Sequence, residues 1–203
     1  MSIRETQRFF DERASEWDAS LAPETLERAA AIIAGLPIEA GSRVLDVGCG
    51  TGVLFPMLWP KVGRGGWVVA VDVSVEMLRL AKQKGADGQT SCLLADVTDT
   101  PFVSSCFDWV LCYSVFPHFE DQGRVLKELA RTLKDGGRLV VCHSKSRDEI
   151  NGIHQTAGGP VANHRLPDEP VMRPLVQSAG LAVTQLDSLP NRYILVAEKS
   201  AAS

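Results

Sequence analysis

Residues 43–52 read RVLDVGCGTG, and no other stretch constrains the fold as tightly. Val44, Leu45 and Val47 form a short apolar run, the pattern of a buried strand. Gly48, Gly50 and Gly52 alternate with Cys49 and Thr51 in a sharp turn, and the apolar residues 53–59 that follow are predicted helical. Strand, glycine turn and helix make the first unit of a nucleotide-binding α/β domain. Glycine lets the chain turn tightly and lets a ligand reach the main chain, because no Cβ intervenes. The spacing is G-x-G-x-G, whereas dinucleotide folds use G-x-G-x-x-G. Asp46 also lies inside the motif. Its carboxylate repels a pyrophosphate and attracts a ligand that carries an ammonium group.

The remaining pattern fits one domain, as 203 residues allow. A helical face holds Phe9, Phe10, Ala14 and Trp17, and a second helix is predicted over 24–36, opened by Pro23. Residues 61–66 read as a loop. A second strand, 67–71, ends at Asp72, 20 residues past Gly52. An acid there can accept both hydroxyls of a ribose. Ser74 is placed to cap a helix over 75–84, with Met77 on its first turn. A third strand, 91–95, leads to Asp96 and Val97, and a fourth is predicted over 107–112. A helix over 121–133, a turn at 134–137 and a fifth strand over 138–142 follow. The pattern breaks between 143 and 170, where Ser146 can cap a short helix over 147–155. A helix over 170–180 and an antiparallel pair, 181–186 and 192–198, close the chain. The fold class is therefore α/β, a doubly wound, mostly parallel sheet of seven strands.

Composition excludes several classes. Hydrophobic residues are 45% and charged residues 23%, which suits a soluble globular protein. The net charge is −4 and the basic residues are dispersed, so nothing favours nucleic acid or an anionic membrane as a global partner. No apolar run approaches the roughly 18 residues of a membrane span. The charged N-terminus lacks an apolar signal core, which makes the expected location cytoplasmic. Five cysteines without a C-x-x-C pair fit reduced thiols.

Residues 43–52 resemble motif I of the class I S-adenosylmethionine (SAM) dependent methyltransferases. FFDERASEWD, residues 9–18, is similar to the N-terminal lid of the ubiquinone/menaquinone-biosynthesis type, and LKDGGRLVV, residues 133–141, is similar to that family's region after the fourth strand. The resemblance spans residues 9–199. It implies SAM as cofactor and methyl transfer to a small molecule. It implies a single domain over 1–203, with 1–40 as a helical lid and 143–170 as a variable, substrate-side segment. Asp46, Gly48, Cys49, Gly50 and Gly52 would hold the methionine part, and Asp72 with Val73 the ribose. Asp96 would take the adenine amino group and Val97 a ring nitrogen. Met77 either packs on the adenine or fills core. Arg13 and Trp17 would lie near the ligand, and Tyr113 on the loop after the fourth strand would face both cofactor and acceptor.

Acceptor chemistry rests on the histidines. His118 follows the fourth strand and His143 ends the fifth, where ligands of such sheets bind. Both are candidates for removing a proton from the nucleophile. His154 and His164 are further candidates for substrate contact, or ordinary polar loop residues. Spacings of 11 and 10 between His143, His154 and His164 match no compact zinc motif, so no metal site is assigned. Cys112 and Cys142 end neighbouring strands, which leaves a metal(loid)-linked methyltransferase as an alternative. A catalytically silent SAM-binding module and a nicotinamide-dependent oxidoreductase stay open too. The glycine spacing and Asp46 count against the oxidoreductase. Acceptor identity and oligomeric state stay open.

Overall fold

The computed structural model describes residues 3–85 and 88–200; residues 1 and 2 of the expected N-terminal segment lie outside that range. Seven strands form one sheet: β1 (Arg43–Val47), β2 (Trp67–Asp72), β3 (Thr90–Leu94), β4 (Phe107–Tyr113), β5 (Leu133–His143), β6 (Leu181–Leu189) and β7 (Arg192–Lys199). Their order is β3-β2-β1-β4-β5-β7-β6. The first five are parallel, and β7 runs antiparallel between β5 and β6. The chain winds outward from β1 to β3, then returns to place β4 on the other side of β1. That reversal opens a crevice at the carboxyl ends of β1 and β4.

The α-helices among the described residues are α1 (Ile3–Asp11), α2 (Ala14–Ser20), α3 (Pro23–Gly35), α4 (Phe55–Val62), α5 (Val75–Lys84), α6 (Gln122–Thr132), α7 (Arg147–Ala157) and α8 (Glu169–Ser178). Central strands covered on both faces must be apolar on both, and the period of two sorts their side chains into separate cores. Val44, Val68 and Val140 pack on one face with Ile33 of α3 and Leu58 of α4. Leu45, Val110 and Val141 pack on the other with Leu129 of α6 and Met172 of α8.

Three predicted boundaries change. The N-terminal helical face is two helices, broken at Glu12 and Arg13, where the Arg13 amide donates to the Phe10 carbonyl at 3.1 Å. The break lets both Asp11 and Asp18 reach α5. Helix α4 begins at Phe55, because residues 51–54 remain in the glycine turn, and it runs through Pro60 into the predicted loop. The predicted turn at 134–137 lies inside β5. Phe107 pairs with Leu133 and Trp109 with Arg138, so five steps on β5 oppose two on β4 and three residues bulge out. Gly136 accommodates the bulge with φ +73°.

Candidate active site

A cavity of about 1490 Å³ lies over the carboxyl ends of β1, β2, β4 and β5. The three glycines after β1 all have positive φ, and each has a different surrounding. A Cβ on Gly48 would stand 2.2 Å from Val115 Cγ2, so this glycine lets the loop after β4 cross the turn. A Cβ on Gly52 would stand 2.6 Å from the Phe55 ring, so Gly52 seats α4 against the turn; it does not line the cavity. A Cβ on Gly50 would meet only Met77 Sδ at 4.0 Å. Gly50 lines the cavity, and its bare backbone faces that open space.

Two acids flank this turn. Asp72 accepts from the Gly50 amide and the Ser74 amide, each at 2.8 Å, which couples the glycine turn to the start of α5. Burial raises its pKa, against the pull of those backbone donors. The Val73 amide also bonds Asp72, which leaves about one acceptor site for a ligand. Asp46 is 1% exposed, and one of its oxygens has no hydrogen-bond partner. Burial, with the Asp72 charge added, pushes Asp46 up to about 8. A buried, bare carboxylate oxygen beside an open backbone fits a ligand that brings its own positive charge. Cys49, Val73, Met77, Asp96 and Val97 line the same part of the cavity. Asp96 Oδ1 accepts from the Thr98 amide at 2.8 Å, and Ser74 caps α5 at Met77 as predicted.

The N-terminal helices close over this region. The Ser74 hydroxyl donates to Asp11 at 2.5 Å, and the Glu76 amide donates to the same oxygen at 3.2 Å. Asp18 accepts from Thr51 and pairs with Lys84, each at 2.5 Å. Phe10 and Trp17 line the cavity and meet edge to face, with centroids 5.6 Å apart. Arg13 corrects the expectation. Its guanidinium lies 3.7 Å from the Phe9 ring centroid and donates to the Phe9 carbonyl, and the residue does not line the cavity. Asp11, Asp18, Thr51 and Lys84 were not singled out in the sequence, because acids and lysines on short helices carry no local signal of what they dock against.

The other half of the cavity holds all four histidines of the chain. His118 Nδ1 and His164 Nδ1 are 2.6 Å apart, and His154 Nδ1 is 3.0 Å from the His164 carbonyl. The His118 ring centroid lies 4.9 Å from each of His154 and His164, and 5.2 Å from Phe10. His143 is 4% exposed, its Nε2 has no partner, and its ring meets Tyr193 on β7. Burial lowers the pKa of all four, with the other imidazoles adding to the effect at His118, His143 and His164, and His143 falls to about 3. All four are neutral at physiological pH. The Tyr113 hydroxyl bonds Ser144 Oγ at 2.8 Å, and Ser144 in turn donates to the Thr25 carbonyl of α3. Ser114, between them in the chain, holds φ +55° and lines the cavity. No local pattern marks a serine for that conformation.

The thiolate alternative fails on geometry. Cys112 packs in one core and Cys142 in the other, on opposite faces of the sheet. Burial pushes Cys142 up to about 12 and holds Cys112 well above the ordinary thiol value.

Residues 45–141 match the methyltransferase domain family. A demethylmenaquinone methyltransferase of Clavibacter sepedonicus is 36% identical over 139 residues, covering 66% of this chain and 55% of that protein. The chain spans about half the length of the curated relatives it matches, between 43% and 55% of the first three. A methyltransferase solved in complex with the Haloferax volcanii Trm112 methyltransferase activator superposes with TM-score 0.83 at 22% identity, over 98% of this chain and 100% of that one. A SAM-dependent methyltransferase from Aquifex aeolicus superposes with TM-score 0.73 at 22% identity, over 92% and 97%. Both are likenesses of fold. Among the described residues no helix is long and apolar enough to cross a membrane.

Proposed function

We propose that this chain, which belongs to the class I SAM-dependent methyltransferases, transfers the cofactor's methyl group to a small-molecule acceptor held against the histidine wall. The observation that carries this reading is a single cavity. It runs from the acidic glycine turn to the four histidines, and its volume exceeds the roughly 300–1,000 Å³ of a one-ligand pocket. The cofactor supplies an electrophilic methyl on a sulfonium. Asp46 would hold its ammonium group, Asp72 its ribose, and Asp96 and Val97 its adenine, with Met77 beneath. Of the expected lid over 1–40, α1 and α2 serve as the cover, with Phe10 and Trp17 lining the cavity, whereas α3 is part of the core against the sheet. Residues 143–170 form the acceptor-side segment.

On the acceptor side, Tyr113, His154 and His164 contact the small molecule, and His118 and His143 stand ready to take a proton from its nucleophile. A neutral imidazole accepts a proton where an imidazolium cannot. General-base help contributes about 10²–10⁴ in rate when the base's pKa lies near the working pH, so burial, which holds His143 at about 3 and lowers His118, makes each a weaker base than a free imidazole. Alignment of the two reactants contributes on the order of several kcal/mol. The names of the quinone-methylating relatives favour a compact ring-bearing acceptor. The test is transfer from methyl-labelled SAM into a metabolite extract, followed by single hydroquinone and phenol acceptors. Labelled product is expected with the wild type. Tight SAM binding with no labelled product in any fraction would make the chain a silent SAM-binding module.

A further inference from the structure

All four histidines of a 203-residue chain meet in one wall of one cavity, although they come from four separate segments. His118 lies on the loop after β4, His143 ends β5, His154 is on α7, and His164 follows α7 by a short turn. The contact between His154 and the His164 carbonyl fixes a tautomer. A carbonyl only accepts, so His154 Nδ1 carries the proton and Nε2 carries the lone pair. A second ring nitrogen tied to a backbone carbonyl is the usual support of a metal-binding histidine. His118 lies against that ring and against His164. Behind them the buried Nε2 of His143 has no partner, and His143 is close enough to His118 and His154 for their charges to interact.

We propose that His118, His154 and His164 form a binding site for a divalent first-row transition ion of the zinc type. Imidazole suits such ions, and only its neutral form ligates. As the rings stand, no three histidine, cysteine or carboxylate side chains among the described residues are arranged to hold an ion. The 2.6 Å contact between His118 and His164 is a hydrogen bond through one shared proton. Two nitrogens at about 2.0–2.1 Å from a tetrahedral ion stand roughly 3.3 Å apart. Binding therefore opens that contact by about 0.7 Å. The shared proton moves to the opposite nitrogen of the same ring, so no proton is lost overall. Three imidazoles would leave the ion's fourth position open; His118 would then be a ligand and no longer a base, and an acceptor hydroxyl or thiol would be activated by the ion as a Lewis acid. Metal binding itself does not depend on which acceptor is methylated.

The experiment uses the purified full chain, stripped with a chelator and dialysed. Zn²⁺ alone is titrated against a chelating dye, Co²⁺ alone is followed by its visible absorption, and bound metal is counted by elemental analysis. One ion per chain is expected, with a dissociation constant in the micromolar range or below. His118→Gln, His154→Gln and His164→Gln should each weaken binding at least tenfold while the far-ultraviolet circular dichroism stays that of the wild type. With only four histidines, long-range proton–nitrogen NMR reads each ring separately, and Zn²⁺ should shift His154 Nε2 rather than Nδ1. No binding at millimolar Zn²⁺ overturns the proposal. So does an ion retained by all three variants, which places it elsewhere. Failure of methyl transfer with metal bound would touch the proposed function and leave this site standing.

Discussion

Gly50→Ala separates two effects that a glycine motif usually confounds. Gly50 holds φ +53°, and its missing Cβ faces open cavity. An L-residue in that conformation costs about 1–2 kcal/mol. For a domain of this size that lowers Tm by roughly 2–8 °C. The same backbone cost applies to Gly41→Ala, where φ is +89° and nothing lies within 4 Å. Gly41 is outside the cavity, so the two variants should melt alike and bind differently. Gly41→Ala is expected to keep wild-type SAM affinity, and Gly50→Ala to lose at least tenfold, about 1.4 kcal/mol, because the new methyl group occupies ligand space. Gly48→Ala adds a clash, with Val115 Cγ2 only 2.2 Å from the new Cβ. Overpacking of that kind adds about 1–3 kcal/mol, so Gly48→Ala should be the least stable of the three. Isothermal titration with SAM and thermal unfolding without it give both numbers for each variant. Wild-type affinity in a folded Gly50→Ala would refute the assignment of the ligand to this turn.

Asp72→Ala should weaken SAM binding at least tenfold, about 1.4 kcal/mol, because it removes the carboxylate proposed to accept from the ribose and releases the Gly50 and Ser74 amides; unchanged calorimetric affinity in a folded variant removes Asp72 from the site. Deleting residues 1–18 should leave the sheet folded, since α1 buries no residue, yet lower turnover by opening the cavity to water; full turnover would reduce this segment to a structural role. Asp46 gives a pH signature. Its folded pKa of about 8 lies above the ordinary unfolded value of about 3.9, so its stabilising contribution is complete below the latter and fades as pH rises through the former. Between about pH 7 and 9 the histidines are neutral in both states. Tm of the ligand-free wild type should therefore fall across that window more steeply than Tm of Asp46→Asn. Equal slopes in differential scanning calorimetry would show that Asp46 is already ionised.

Much of the fold is legible because parallel strands and their helices advertise themselves locally. Val44, Leu45 and Val47 in β1 and Val68 to Val71 in β2 are apolar because both faces of these strands are covered, and Ser74 announces α5 by its capping chemistry. The seven strands and the antiparallel closing pair follow the sequence reading, and the strand order is supplied by the structure. Local pattern fails where a distant partner decides. The break at Glu12 and Arg13 serves contacts from Asp11 and Asp18 to α5, more than 60 residues away for Asp11 and Ser74. The bulge in β5 depends on pairing with β4. The position of Gly48, Gly50, Asp46 and Asp72 on the cavity was readable, because a turn beside a strand end needs glycines and sets the neighbouring acids at the sheet's carboxyl edge. Arg13 was misplaced, because its charge is spent on Phe9. The convergence of His154 and His164 on His118 could not be read from spacing, since it depends on how α7 packs over the cavity.

The electrostatics of the cavity differ between its two halves. One half gathers carboxylates, with Asp46 buried and Asp72 half-buried beside it, and desolvation raises each. Two such groups destabilise the ligand-free protein, and a cationic ligand relieves them. The other half gathers imidazoles that burial holds neutral. Moving a methyl from a sulfonium to a neutral or anionic nucleophile disperses or annihilates charge. The acidic half therefore favours the ground state of the cofactor, and binding energy there does not lower the barrier. Rate must come from the far half, where alignment, exclusion of water under the N-terminal helices and activation of the acceptor act on the transition state. On the proposed function, the four histidines bear on turnover and the acids on affinity. Variants of the two groups should accordingly separate into changes of kcat and changes of Kd.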